Sequence, residues 1–221
     1  MRGKHFFKPF AEILTALTMI LVLGSNVQAA SNYKVLYSFT GGADGNEFMW
    51  VTGAGNWFSS GLVRDGTGSL YGATATGGAY GYGVVFKLTP GSGERWTETV
   101  LYNFTGGTDG AYPFAGLVFD IVGNLYGTAS GGGSGSCSNS YTSGCGVAFE
   151  LTPNLDGSWT ESVIYSFTGG ADGAQPEARL TFDAAGNLYG TTNAGGLHLQ
   201  SPCPTILSVA NTTTGAASCS N

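Results

Sequence analysis

His, Cys and carboxylates carry most enzymatic chemistry, and this chain is sparing with the first two. It has 2 histidines and 4 cysteines against 14 Asp and Glu. A Ser–His–Asp or Cys–His relay needs an imidazole to move the proton. His5 lies in the first thirty residues and His198 in an irregular C-terminal stretch, where a surface histidine is the simpler reading. Cys137, Cys145, Cys203 and Cys219 form no Cys-x-x-Cys pair, so zinc has no spacing to recognise. A glycosidase would need two carboxylates at a defined separation. Asp44, Asp109, Asp172, Asp120 and Asp183 instead each stand beside or near the glycine of a turn, where Asp accepts backbone N–H bonds. Glu98 and Glu161 take equivalent positions in one recurring strand. Calcium is the metal that Asp-Gly turns could take. No stretch sets several acids at close spacing, so no cofactor is expected.

The turns recur because the chain does. Tyr37-Ser-Phe-Thr-Gly-Gly-Ala-Asp-Gly returns at Tyr102 after 65 residues and at Tyr165 after 63 more. Leu-Tyr-Gly recurs at Leu70, Leu125 and Leu188, and Gly-Val-x-Phe-x-Leu-Thr-Pro at Gly83 and Gly146. A near-constant period of this size marks a repeat architecture. Within each period the apolar residues alternate. Leu117 and Phe119 share one face, as do Val147, Phe149 and Leu151, and Trp159, Val163, Tyr165 and Phe167. Asp120 to Gly123, with its counterparts at Asp65 and Asp183, closes the first hairpin, and Pro90 and Pro153 end the third strand for want of an N–H.

Four short antiparallel strands per unit predict an all-β fold of β-propeller-like blades. The units cover about residues 61–105 and 116–168, with a partial one over 178–221. Residues 33–40 match a fourth strand, as a strand closing a ring would. After Gly196 the third strand is not recognisable, so residues 198–214 read as irregular and the chain as a fragment with an incomplete ring. Exposed edges of the terminal sheets would then favour self-association.

The ends and the charge set the compartment. Basic residues Arg2, Lys4 and Lys8, an apolar run from Ile13 to Leu23, and Val27-Gln28-Ala29 describe a signal peptide over residues 1–29. Residues 30–221 are then secreted, extracellular or at the cell surface, with the periplasm as a further destination, and do not insert in a membrane. In that oxidising setting the cysteines read as local disulfides, Cys137 with Cys145 and Cys203 with Cys219, the two other pairings staying open. A formal charge of −6 gives no reason to expect nucleic acid.

The recurring Leu-Tyr-Gly-Thr-Thr, Gly-Val-x-Phe-x-Leu-Thr-Pro and Tyr-x-Phe-x-Gly-Gly-x-Asp-Gly strings resemble the Gloeo/Verruco (GloVer) tandem repeat over about residues 33–196. The resemblance implies an exported bacterial protein, often carrying a surface-anchoring module, and no known catalytic residues. The loops add Tyr80, Tyr82, Tyr112 and Tyr141, and the insert at residues 46–59 adds Trp50 and Trp57. Such side chains suit sugar stacking, although aromatic residues in the insert also suit a loop that packs on its own blade. The expected role is a non-catalytic binding or adhesion scaffold for polysaccharide or a cell-surface protein. The alternative is a glycan-processing or other hydrolytic propeller enzyme whose active residues lie outside this stretch.

Overall fold

The computed structural model describes residues 34–46, 61–138 and 143–196, and the backbone of 205–210 and 213–216. The expected signal peptide over residues 1–29, Trp50, Trp57, Tyr141, Cys203 and Cys219 lie outside the described residues. The chain divides into two units, Met1–Val35 and Leu36–Asn221, and the second holds every sheet.

Three open antiparallel sheets follow one another along the chain. The first runs β1 (Val63–Arg64), β2 (Leu70–Thr74), β3 (Val84–Pro90) and β4 (Trp96–Asn103). The second repeats it as β5 (Val118–Phe119), β6 (Leu125–Ala129), β7 (Val147–Pro153) and β8 (Trp159–Ser166). The third has β10 (Thr181–Phe182), β11 (Leu188–Ala194), β12 (Thr205–Ala210) and β13 (Thr213–Ala216) in the same order. A short β9 (Ala174–Pro176) also pairs with β11.

Two expectations change here. Residues 205–210 and 213–216 are not irregular: β12 pairs with β11 and β13 with β12, the places of a third and fourth strand. Leu207 stands opposite Gly190, as Phe86 stands opposite Gly72 and Phe149 opposite Gly127. The run Thr-Ile-Leu-Ser-Val-Ala supplies β-branched residues to the ladder without the recurring motif, so pattern matching passes over it. Conversely, residues 34–40 form no strand. A fourth strand needs a third to pair with, and no described strand lies along them.

The strand face containing Trp159, Val163, Tyr165 and Phe167 is also divided. Phe149 pairs with Val163 but Ala148 pairs with Tyr165, so Ile164 is the extra residue of a β-bulge. The first sheet repeats this at Leu101. A bulge reverses the alternation beyond it. Glu161 and Val163 therefore share the face of Phe149 and Leu151, while Tyr165 turns to the other side with Ala148.

This reversal builds the core. Tyr71, Ala73, Val85 and Phe104 from the first repeat cluster with Leu117, Leu125, Ala129, Val147, Phe149 and Leu151 from the second. Phe104 meets Phe149 edge to face at 5.1 Å, and Tyr71 meets Phe119 at 5.0 Å. The contacts recur one step along the chain: Phe39 meets Phe86 at 4.9 Å and Tyr126 meets Phe182 at 5.2 Å. Each repeat thus lends its exit segment to the core of the next. Such edge-to-face pairs each add about 0.5–1.5 kcal/mol beyond area burial.

Candidate functional site

The exit turn after β4 and after β8, with its counterpart from Tyr37 to Asp44 that follows no described strand, is built three times on one plan. The Asp44 carboxylate accepts from the Tyr37 hydroxyl (3.1 Å), the Thr40 N–H (2.8 Å) and the Thr40 hydroxyl (2.7 Å). Asp109 takes the same three donors from Tyr102 and Thr105, at 3.0, 2.7 and 2.5 Å. Asp172 takes them from Tyr165 and Thr168, at 2.9, 2.8 and 2.6 Å. The hairpin carboxylates are held in the same manner. Asp120 accepts from the N–H groups of Val122, Gly123 and Asn124, and Asp183 from those of Ala185 and Asn187. The Asn187 amide and N–H hold Asp183 down at about 2, below its ordinary 3.8. Burial raises Asp172, but hydrogen bonds from Thr168 and Tyr165 outweigh it and keep the carboxyl low. Among the described residues no three His, Cys, Asp or Glu side chains converge as metal ligands.

The loops between second and third strands meet these exit turns. Ala79 N–H donates to Asn103 Oδ1 (2.8 Å) and Tyr112 N–H to the Tyr82 carbonyl (2.9 Å). Tyr82 and Tyr112 stand edge to face at 5.7 Å, and Phe114 lies nearly parallel to Tyr112 at 6.4 Å. Tyr112 sits at φ 57°, in the left-handed region that a bulky residue seldom enters, and Gln175 repeats it at φ 55° one period later. Tyr80, in the same loop two residues before Tyr82, is 60% exposed. Two of the four tyrosines expected at a ligand surface, Tyr82 and Tyr112, therefore meet, with Tyr80 in the same loop as Tyr82.

The disulfide Cys137–Cys145 occupies the matching place in the next repeat. Cys145 precedes Gly146 as Tyr82 precedes Gly83, and its carbonyl accepts from Gln175 as that of Tyr82 does from Tyr112. A Cβ on Gly106 would stand 2.6 Å from the Tyr82 ring, and one on Gly169 would overlap the Cys137 sulfur. The same glycine is capped by an aromatic ring at one joint and by a disulfide at the next.

Between the Asp109 exit turn and the second sheet opens a groove of about 280 Å³ lined by Thr108, Asp109, Ser134, Glu161, Val163 and Ser166. Glu161 Oε1 is buried there without a hydrogen-bond partner, and so is Glu98 Oε1 at the preceding joint. Burial, and then the Asp109 carboxylate, push the Glu161 carboxyl up to about 7. Glu98 is raised by burial and by Asp44. The repeat reading passed over these two residues as functional. The signal was there: Trp-Thr-Glu-x-Val puts a carboxylate on the apolar face of a strand in both copies.

Fold and turn together define an all-β tandem-repeat protein in which one motif is used three times. The chain matches the model of the Gloeobacter/Verrucomicrobia repeat over residues 25–201, and it belongs to that family, whose function is unknown. No curated protein matches it.

Proposed function

We propose that this protein is an exported, non-catalytic binding scaffold that takes polysaccharide at the aromatic end of its first two sheets. The observation that carries the reading is the ledge of Tyr82, Tyr112 and Phe114, with exposed Tyr80 in the same loop as Tyr82. Flat rings at a fixed spacing stack on sugar faces, and Thr108, Ser134 and Ser166 add hydroxyl-bearing residues to the groove at the Asp109 exit turn. Export is supported by the basic-then-apolar start of the chain, and the disulfide suits an oxidising compartment. A cell-surface protein is the second partner class. Self-association would run through the outer strands β4 and β8, which end their sheets.

A propeller-like stacking of blades fits the strand lengths, which grow from 2 residues in β1 and β5 to 8 in β4 and β8. The short strands also draw together. A Cβ on Gly116 would stand 3.0 Å from the Gly61 carbonyl, and Arg179 Nε donates to the Leu117 carbonyl at 3.0 Å. Blades around an axis narrow inward in this way.

A hydrolytic reading has one observation in its favour, the groove holding both Asp109 and Glu161. An acid near neutral pKa beside a second carboxylate suits glycoside hydrolysis. Against it, the same pair recurs as Asp44 and Glu98 at the preceding joint, as structural elements of a repeat do.

The test is a glycan array with a pull-down on cell-wall polysaccharide. Saturable binding reduced about tenfold or more by Tyr80→Ala, one stacking contact of about 1.4 kcal/mol or more, supports the site. Tyr80→Ala that binds as well as the parent, or a folded parent that binds no glycan, overturns it. Release of reducing ends from the bound polysaccharide, abolished in Glu161→Gln, would replace the scaffold by the hydrolase.

A further inference from the structure

Two observations at the joints have no part in glycan stacking. Each joint buries a glutamate oxygen with no partner, Glu98 Oε1 and Glu161 Oε1. Each sets that glutamate beside a Tyr–Asp pair from the preceding repeat, Tyr37–Asp44 and Tyr102–Asp109. The bulges at Leu101 and Ile164 make this inevitable. They turn Tyr102 toward the next sheet while leaving Glu161 on the face that looks back at it.

The groups acting on Glu161 are few. From the preceding repeat they are the Asp109 carboxylate, which raises the Glu161 carboxyl, and the Tyr102 hydroxyl, whose opposite pull is smaller. Tyr80 lies within electrostatic reach of Tyr102, and no Lys, Arg or His lines the groove. Tyr102 has one proton, and it goes to Asp109 at 3.0 Å. A carboxylate at Glu161 therefore meets an oxygen already committed as donor elsewhere, a second carboxylate, and a buried pocket. A protonated Glu161 instead gives its own proton to the Tyr102 oxygen. The chain Glu161 to Tyr102 to Asp109 is then satisfied, with only a neutral carbonyl oxygen left idle.

We propose that the joints between successive sheets are proton-operated latches. They close when Glu161, and Glu98 in the joint before it, takes a proton from solvent and hands it toward the tyrosine hydroxyl, and they loosen when these glutamates ionise against Asp109 and Asp44. The third sheet lacks this latch: Thr214 holds the register position of Glu98 and Glu161, opposite Val209 and in line with Leu188. The response thus belongs to two joints of the chain.

The experiment measures thermal midpoint against pH from 4.5 to 8.5 for the parent and for Glu98→Gln/Glu161→Gln. Carboxyl carbon NMR titration of the parent is run in parallel. An uncharged amide can donate to the tyrosine oxygen at every pH. The double variant should therefore melt at least about 3 °C higher than the parent at pH 8, a shift that a change near 1 kcal/mol produces in a chain of this size. It should also lose most of the parent's decline between pH 5 and 8. The Glu98 and Glu161 carboxyls of the parent should titrate above the usual 4.5, that of Glu161 near 7, and vanish from the spectrum of the variant. A parent and variant with parallel pH profiles, or glutamates that all titrate near 4.5, would overturn the latch. The NMR arm keeps the proposal testable if the double variant folds poorly. A loss of glycan binding with these profiles unchanged would count against the latch alone.

Discussion

Asp109 orders its turn by receiving a ring hydroxyl, a backbone N–H and a threonine hydroxyl on two oxygens. Removing it takes the acceptor from the part-buried Tyr102 hydroxyl and frees the turn that the exposed Thr105 donors hold. Asp109→Ala should cost about 1–3 kcal/mol by urea denaturation, the penalty of leaving such groups unsatisfied. Asp156 accepts only from the neighbouring Ser158, in an exposed turn. Asp156→Ala should leave the urea midpoint where it was. Asp109 and Asp156 look alike in the sequence, each followed at once by a glycine. What separates them is the tyrosine seven residues before Asp109, which the turn must fold back to meet.

At the scale of the element, much was legible and the reasons for the remainder are specific. The repeat, the tight hairpins at Asp65, Asp120 and Asp183, and the alternation in β3 and β7 follow from local spacing. The bulges do not, because one extra residue in Trp-Thr-Glu-Ser-Val-Ile-Tyr leaves the apolar content unchanged and shows only in the pairing partner. β12 was missed because its ladder asks for β propensity and a partner, not for the family's motif. The aromatic ledge was partly visible: Tyr80, Tyr82 and Tyr112 could be named, but not the left-handed turn at Tyr112 that brings its ring to Tyr82. Two substitutions probe the packing. A Cβ at Gly127 would stand 2.6 Å from Phe149 and 2.9 Å from Leu117, so Gly127→Ala should destabilise by about 1–3 kcal/mol through overpacking. Replacing both Cys137 and Cys145 by Ser frees a loop of sequence separation 8 and uncovers Gly169, and should cost about 2–3 kcal/mol under oxidising conditions. Differential scanning calorimetry of each variant against the parent checks both.

Across the whole molecule the carboxyls pull stability in opposite directions on either side of one pH. Asp44, Asp65, Asp172 and Asp183 are lowered from their ordinary 3.8, so the folded chain holds fewer of their protons than the unfolded one. Their contribution is complete above 3.8 and is lost as pH falls toward 2. Glu98, Glu161 and Glu177 are raised from 4.5, so their contribution is complete below 4.5 and is lost as pH rises through about 7 for Glu161. The thermal midpoint should therefore peak between 3.8 and 4.5, at a more acid pH than is usual for globular proteins, and decline on both sides. A midpoint that keeps rising to pH 7 would contradict it. The shared core adds a second expectation. Phe149 touches residues of both the first and second repeats, so Phe149→Ala should lower one common transition by about 3–5 kcal/mol rather than split off the second sheet.

The exit turn that each repeat lends to its successor also bears on how such a chain lengthens. A copy made by unequal crossing-over can start anywhere in the period, since every full period carries one Tyr-x-Phe exit and one sheet to receive it. Phe104 on Phe149 repeats the contact of Phe39 on Phe86, so an inserted copy would meet its neighbours with complementary faces already in place. The capping of Gly106 by Tyr82 and of Gly169 by a disulfide shows what drifts afterwards. The receiving geometry persists in both copies, while the chemistry that fills it has diverged.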